Sequence, residues 1–247
     1  PDSTELDNQT RAKVCVKTHW VDSVRAVPTG PPLIIGNGFL DALPIRQWIH
    51  GDDEWRQVGD DVLDGQFRCV PGAVVDTSEI PEVFQSAANG SIYETSPVTQ
   101  DIVATLSKRL SKSGGAALLI DYGHSESGMG NTLQAVKNHK YADPLANPGQ
   151  QDLTAHVDFM AVARTATGVG ARSWGPITQG DLLERLGISA RATSLLATAT
   201  KEQAVELATA RQRLTAPGGM GRLFKAIAIC HPDAPAPPGF EEVSWSR

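Results

Sequence analysis

Residues 33–48 read "LIIGNGFLDALPIRQW". Leu33, Ile34 and Ile35 run without a polar break into Gly36-Asn37-Gly38, and Phe39, Asp41 and Pro44 follow at once. A continuous apolar run of this kind marks a strand buried on both faces, as in a parallel sheet covered by helices. The loop behind it crowds an amide, a phenyl ring and a carboxylate together. Ligands in open α/β sheets bind beyond the carboxyl ends of strands. The stretch therefore predicts an α/β fold with a working loop after Asn37.

Working outward, a second run of the same type, "AALLIDYG" at 116–123, follows a predicted helix over 97–110. In that helix Val98, Ile102, Leu106 and Leu110 recur every fourth residue, Ser96 suits the cap and Pro97 the first turn. Gly114-Gly115 ends it, and a helix leading into a buried strand is half of a crossover unit. The stretch "GRLFKAIAIC" at 221–230 supplies a last strand. Between 45 and 75, apolar and polar residues alternate on both sides of Gly51-Asp52-Asp53, a hairpin signal, and "GQFRCV" at 65–70 adds a strand. This is an antiparallel insertion in an α/β pattern. Further helices are expected at 5–14, 158–167, 179–186 and 201–214, and a short strand at 18–24. The segment 128–157, rich in Gly, Pro, Asn and His, reads as a long ordered loop with one strand at "NTLQAV". The organisation is one domain over 1–232, carrying the insertion at 45–75 and a loop and helical region at 128–215. A proline-rich tail, too irregular for helix or strand, covers 233–247.

With 247 residues, 40% of them hydrophobic, the chain can bury a substantial core. Its apolar runs fall far short of the ~20 residues a membrane span needs, and the first residues have no signal-peptide pattern. A net charge of -6, without a dense Lys/Arg run, argues against nucleic acid as the main partner and leaves a basic protein open. Cys15, Cys69 and Cys230 match neither zinc spacing nor a disulfide framework, so they read as thiols of a reducing compartment.

Each candidate site has a plainer alternative. Asn37 to Pro44 reads as a ligand-pocket loop or an ordinary turn. Asp121, at the end of its strand, reads as a ligand-orienting acid or a turn acid, and Glu94 in "SIYETSP" as a substrate-facing acid or a solvated charge before a helix. "DLTAHVDF" brings Asp152, His156 and Asp158 together; on a helix Asp152 and His156 would face one another, and capping explains them better than a metal site does. No metal is expected. "HSES" at 124–127 lacks a nucleophile elbow, and "SGMGN" and "PGGMG" lack the spacing of nucleotide-binding glycine loops.

Several stretches occur together and in order: "NGFLDALPIRQW", "YETSP", "GGAALLIDYGH", "GNTLQAVKNHKYADPLANPGQQDLTAHVDF", "QGDLLERLGI" and "GMGRLFKAIAI". On these the chain resembles the MidA family of S-adenosylmethionine-dependent methyltransferases, which includes the mitochondrial complex I assembly factor acting as a protein arginine methyltransferase. The resemblance implies a Rossmann-like class I methyltransferase sheet with an inserted β hairpin and a helical segment. "LIIGN" would be its fourth strand and loop, "LLIDYG" its fifth, and "GRLFKAIAI" its last, antiparallel part. It also implies S-adenosylmethionine as cofactor and arginine of a protein partner, such as a complex I subunit, as acceptor. The compartment would be the bacterial cytoplasm or the mitochondrial matrix, and a homodimer stays open.

Two departures stand out. The family loop usually reads Asn-Glu-Phe-Phe-Asp-Ala-Leu-Pro, whereas here Gly38 replaces the Glu and Leu40 the second Phe. The chain also begins at "PDSTELDNQ", which resembles the family's "PSxxLxxxQ" segment. The fold is therefore expected to be N-terminally incomplete, without the first strand, its glycine loop and the ribose-binding acid. That sets a non-catalytic binding or assembly domain, or a gene fragment, beside the enzyme. A guanidinium, with a pKa above ~12, needs a carboxylate to orient it and relay its proton. Asp41, Asp121 and Glu94 are the expected acids; Asn37, Gly38 and Phe39 would lie beside the cofactor, with Tyr122, His156 and Asp158 in support.

Overall fold

The structure, a computed structural model, describes residues 18–241. The helix expected at 5–14 and Cys15 lie outside the described residues. The strand expected at 18–24 does not form. Ser23 instead accepts a hydrogen bond from the Arg25 amide and caps a 3-10 turn at Val24–Ala26, as short hydroxyl side chains favour.

The chain continues through β1 (Leu33–Asn37), β2 (Arg46–Gly51), β3 (Glu54–Leu63), β4 (Gln66–Val74) and β5 (Ile92–Thr95) to the long helix α1 (Pro97–Ser113). Then come β6 (Ala116–His124), β7 (Gln134–Lys137), β8 (Lys140–Ala142), β9 (Asp152–Thr154), β10 (Val157–Asp158), α2 (Phe159–Gly168) and β11 (Arg172–Thr178). The last elements are α3 (Gln179–Arg185), α4 (Ile188–Leu196), α5 (Lys201–Thr215), α6 (Met220–Leu223) and β12 (Phe224–Cys230).

The central sheet has the order β1-β6-β12-β11. β1 and β6 are parallel, joined by α1 as a crossover, and β12 runs antiparallel to both β6 and β11. The mixed α/β architecture with an antiparallel last strand agrees with the expectation from sequence. Between β1 and α1 sits the antiparallel insertion, a sheet of order β4-β3-β2-β5. Asp52 and Asp53 make the β2–β3 turn with φ of 52° and 60°, a left-handed geometry that Asp tolerates better than most residues.

On one face of the central sheet, Val103 and Leu110 of α1 and Phe159, Val162 and Ala166 of α2 pack against Ala117, Leu119, Ile227 and Ile229. The other face carries Trp174, Ile177, Leu182 and Cys230, closed by Phe240. Residues 233–241 of the tail form no helix or strand, yet Phe240 pins this part to the core with 2% of its surface exposed. In α1 the buried stripe is Thr99, Val103, Leu106 and Leu110, whereas Val98 is exposed. Strict fourth-residue spacing drifts off the 3.6-residue period, so only the later half of the predicted stripe reaches the core.

Other differences are informative. β1 was expected to be buried on both faces, but Leu33 and Ile35 are 87% and 77% exposed. The strand lies at the edge of the sheet, and no described element covers that face. The segment 128–157 holds a three-stranded sheet of order β8-β7-β9 where one strand was expected. Its strands are three or four residues long, too short for a clear alternation. Asp152 is in β9 and His156 follows it, so the helical pairing of these two does not occur. β11 and α4 were not foreseen; Gly175-Pro176 inside β11 reads as a break. Among the described residues no helix is long and apolar enough to cross a membrane.

Candidate functional site

The acids expected at the site arrive by different routes. β2 pairs with β5 so that Gln47 stands opposite Glu94. Glu94 is then held on both oxygens. Gln47 Nε2 donates to Oε1 at 2.7 Å, the Thr132 amide donates to Oε1 at 3.0 Å, and the Thr132 hydroxyl donates to Oε2 at 2.5 Å. Thr132 Oγ1 accepts in turn from the His156 amide at 2.9 Å. One hydroxyl thus fixes both the carboxylate and the backbone that carries His156. Immediately after Glu94, Ser96 caps α1 by accepting from the Thr99 amide and donates its own hydroxyl proton to the Pro44 carbonyl. The cap therefore ties the helix start to the loop that follows β1.

His156 and Asp158 come from the approach of β10 to β6. The close approach needs glycine at 123, because a Cβ there would lie 2.1 Å from the Val157 carbonyl oxygen. The pairing sets Asp158 opposite His124, with His124 Nε2 4.0 Å from Asp158 Oδ2. Asp158 Oδ1 also caps α2, accepting from the Ala161 amide at 2.9 Å. Burial, followed by the charge of His124, pushes the His156 imidazole below its usual pKa, which favours the neutral ring able to accept a proton. Its edge meets Tyr122, and Tyr122 meets Phe224 in the same manner.

Asp121 does something else. It is fully buried, and its Oδ2 accepts from the amides of Phe39, Leu40 and Asp41 at 3.0, 2.9 and 3.2 Å. The Tyr122 amide donates to Oδ1 at 3.0 Å. The carboxylate clamps the start of the loop after β1. Burial raises its pKa from 3.8 to about 6, helped by the nearby charge of Asp41 and opposed by the donated amides. Burial likewise pushes the Tyr122 hydroxyl up to about 12. Asp41 stays above the clamp. Its carbonyl accepts from the Ala155 amide at 3.0 Å, stitching the loop to the strand that leads to His156. Its buried Oδ1 has no hydrogen-bond partner among the described residues.

The acid wall encloses a cavity of about 240 Å³. Glu94, Ser96, Thr99, His124, Glu126, Thr132, His156 and Asp158 contribute its polar surface, with Leu40, Tyr93 and Met129 among its apolar walls. Among the described residues no Lys or Arg lines it. It is smaller than the roughly 300 Å³ at which pockets for drug-sized ligands begin, a fit for one side chain rather than a nucleotide.

Of the expected site residues, Glu94, His156 and Asp158 line the cavity. Asp41, Asp121, Tyr122, Asn37, Gly38 and Phe39 do not; they form the loop beside it and that loop's support. Asn37 and Phe39 are exposed at the carboxyl end of β1. Gly38, with φ of 62°, would have nothing within 4 Å of an added Cβ. Gln47, Thr132, His124 and Glu126 were not foreseen as site residues. Only Gln47 had a signal, its place in a strand able to pair with "YETS".

Residues 3–177 match the family described as "Putative S-adenosyl-L-methionine-dependent methyltransferase". The chain is 36% identical over 231 residues to a Caenorhabditis elegans relative named protein arginine methyltransferase NDUFAF7 homolog, mitochondrial, covering 92% of this chain and 54% of the relative. It is 32% identical over 247 residues to human protein arginine methyltransferase NDUFAF7, mitochondrial, covering 92% and 55%. The chain thus spans about half the length of these curated relatives. A crystal structure of a Burkholderia thailandensis protein bound to S-adenosyl-homocysteine superposes with a TM-score of 0.79 at 27% identity, over 92% of this chain and 60% of that one.

Proposed function

The chain belongs to this methyltransferase family, and from that premise we propose that it forms the acceptor side of an S-adenosylmethionine-dependent protein arginine methyltransferase. The observation that carries the reading is the cavity: three carboxylates, Glu94, Glu126 and Asp158, with two histidines and, among the described residues, no Lys or Arg, line a space sized for one residue. A guanidinium enters as a cation, because its pKa exceeds ~12, and it donates in a planar fork that matches carboxylate oxygens. Glu94, already held by Gln47 and Thr132, would orient that fork without further reorganisation. As a guanidinium nitrogen gains a substituent it must give up a proton. Glu94 or the neutral His156 would take it, and Asp158 would face the resulting imidazolium through His124.

The cofactor fits the outer side of the same loop. Asn37 offers an exposed amide, Phe39 an exposed ring, and the space beside Gly38 is open, all at the carboxyl end of β1. Those three residues would hold one wall of S-adenosylmethionine, which supplies an electrophilic methyl group when bound. Asp121 would keep that wall in place through the amides it clamps. Both relatives carry "mitochondrial" in their names, which supports that compartment, and a complex I subunit is the partner that the family resemblance favours.

Gly38, where the family loop usually has Glu, favours a second reading, a methyltransferase-like binding domain without catalysis. Calorimetric titration of the chain with S-adenosylmethionine and with arginine amide separates them. Micromolar binding of both supports the enzyme, whereas folded protein that binds neither supports the binding domain.

A further inference from the structure

The hydrogen bonds on Glu94 leave it little room for a proton. A carboxylate offers roughly four lone-pair sites, two on each oxygen. On Glu94 both sites of Oε1 are occupied, by Gln47 Nε2 and the Thr132 amide, and one site of Oε2 is occupied by the Thr132 hydroxyl. One site on Oε2 remains. The donors are themselves held in place. Gln47 gives its other amide N–H to Asn131 Oδ1 at 2.9 Å, so a flipped amide would set its oxygen against two oxygens. The Thr132 hydroxyl accepts from the His156 amide, so its single proton points at Glu94. A guanidinium N–H that reaches Glu94 therefore fills the last site. A proton arriving there would have to displace the ligand or leave one of the three donors unpaired, which is costly away from water.

His156 is arranged in the opposite way. The same Thr132 hydroxyl fixes its backbone, and its ring lines the cavity. Among the described residues none hydrogen-bonds its ring nitrogens. The titratable groups around the ring are Tyr122 and His124 of β6, Glu94 of β5, Lys225 of β12 and, lining the same cavity, Glu126 and Asp158. Burial, then His124 and Lys225, favour the neutral ring over the opposing pull of Glu94. A neutral ring has a lone pair to offer.

We infer that Thr132 is a positioning residue that divides the work of the cavity: Glu94 stays an anion holding one guanidinium N–H, and the His156 ring takes the proton. The inference rests on reading the cavity as the seat of a protein arginine. In the step itself a guanidinium nitrogen bonds the methyl carbon of the sulfonium donor, and the methyl–sulfur bond breaks with its electron pair left on sulfur. The N–H proton passes to a ring nitrogen of His156. The methylated guanidinium keeps its single positive charge, sulfur loses its own, and His156 gains one.

The test follows the full chain by imidazole NMR, with arginine amide titrated by calorimetry. The His156 signal is the one absent from His156→Gln. Saturating arginine amide is expected to lower the His156 titration midpoint by about one pH unit or more, because a bound cation favours the neutral ring. Thr132→Val keeps the side chain's shape without its hydroxyl and should weaken arginine amide about tenfold, while Thr132→Ser stays within about threefold of wild type. The midpoint needs no Thr132 variant, so it decides the matter if the Val variant does not fold. An unmoved midpoint with arginine amide bound would overturn the inference and leave the cavity reading standing. So would a Glu94 carboxyl signal that gains the proton over that range, or equal affinities of the Val and Ser variants. A wild-type chain that binds no arginine amide would remove the cavity reading, and this inference with it.

Discussion

Asp121 and Glu94 present the same signal, an acid in the closing residues of a strand that leads into a loop, and the fold uses them in opposite ways. Asp121 faces inward in the middle of the central sheet, where it holds three loop amides and does not line the cavity. Glu94 sits in β5, at the edge of the inserted sheet, held by Gln47 and Thr132 and open to the cavity. The difference is one of phase and place. Asp121 falls on the parity of Ala117 and Leu119, which are buried, so β6 turns it into the core. An acid in phase with the apolar residues of its strand is recruited by backbone, and an acid on a short edge strand stays available to a ligand.

The contrast can be broken most forcefully at Asp121. Replacement by Ala leaves the Phe39, Leu40 and Asp41 amides without their acceptor under a closed loop. A loss of about 3 kcal/mol or more is expected in urea denaturation, against about 1 kcal/mol for Asp121→Asn, which keeps an acceptor oxygen. If the Ala variant proves as stable as wild type, Asp121 is no clamp. The pH dependence is the next largest effect. The folded protein raises the Asp121 pKa from 3.8 to about 6, so it holds the proton more tightly than the unfolded chain does. Stability from this group is full below the unfolded value and is lost as pH rises through about 6. Relative to Asp121→Asn, wild type should weaken over that window by on the order of 2–3 kcal/mol. A flat difference would mean that the donated amides fully offset burial.

Glu94 should behave the other way round. Gln keeps its size and one acceptor but removes the charge, so stability should change by less than about 0.5 kcal/mol. Binding of arginine amide, followed by calorimetry, should fall about tenfold. The reverse result, lost stability with unchanged binding, would make Glu94 a second clamp and erase the comparison.

The sequence carried the central strands because β1, β6 and β12 are apolar runs with only one interpretation once helices separate them. It also carried the β2–β3 hairpin, because Asp52 and Asp53 announce the turn. The site was less legible. Glu94 needs Gln47 and Thr132, which lie 47 and 38 residues away in the chain, and no local pattern records a register formed at that distance. His124 reaches Asp158 only because Gly123 lets β10 close on β6. The phase of Asp121 was no more legible, since "AALLI" is apolar on both parities and the alternation lies only in the burial of β6, which follows from the layers packed on its two faces.

The smallest effect concerns Gly38, where the family loop usually has Glu. Its φ of 62° lies in the left-handed region, so Gly38→Glu should cost about 1 kcal/mol of stability from backbone strain alone. No atom obstructs the new side chain, because nothing lies within 4 Å of its Cβ. Gly38 does not line the cavity, whereas Glu94 does. The added carboxylate should therefore leave arginine amide binding within about twofold of wild type, measured beside Glu94→Gln in the same buffer. If Gly38→Glu instead tightens that binding and Glu94→Gln does not weaken it, the acceptor site belongs to the loop after β1. The exposed Asn37 and Phe39 would then face the guanidinium, and the two strand-end acids would share a structural role.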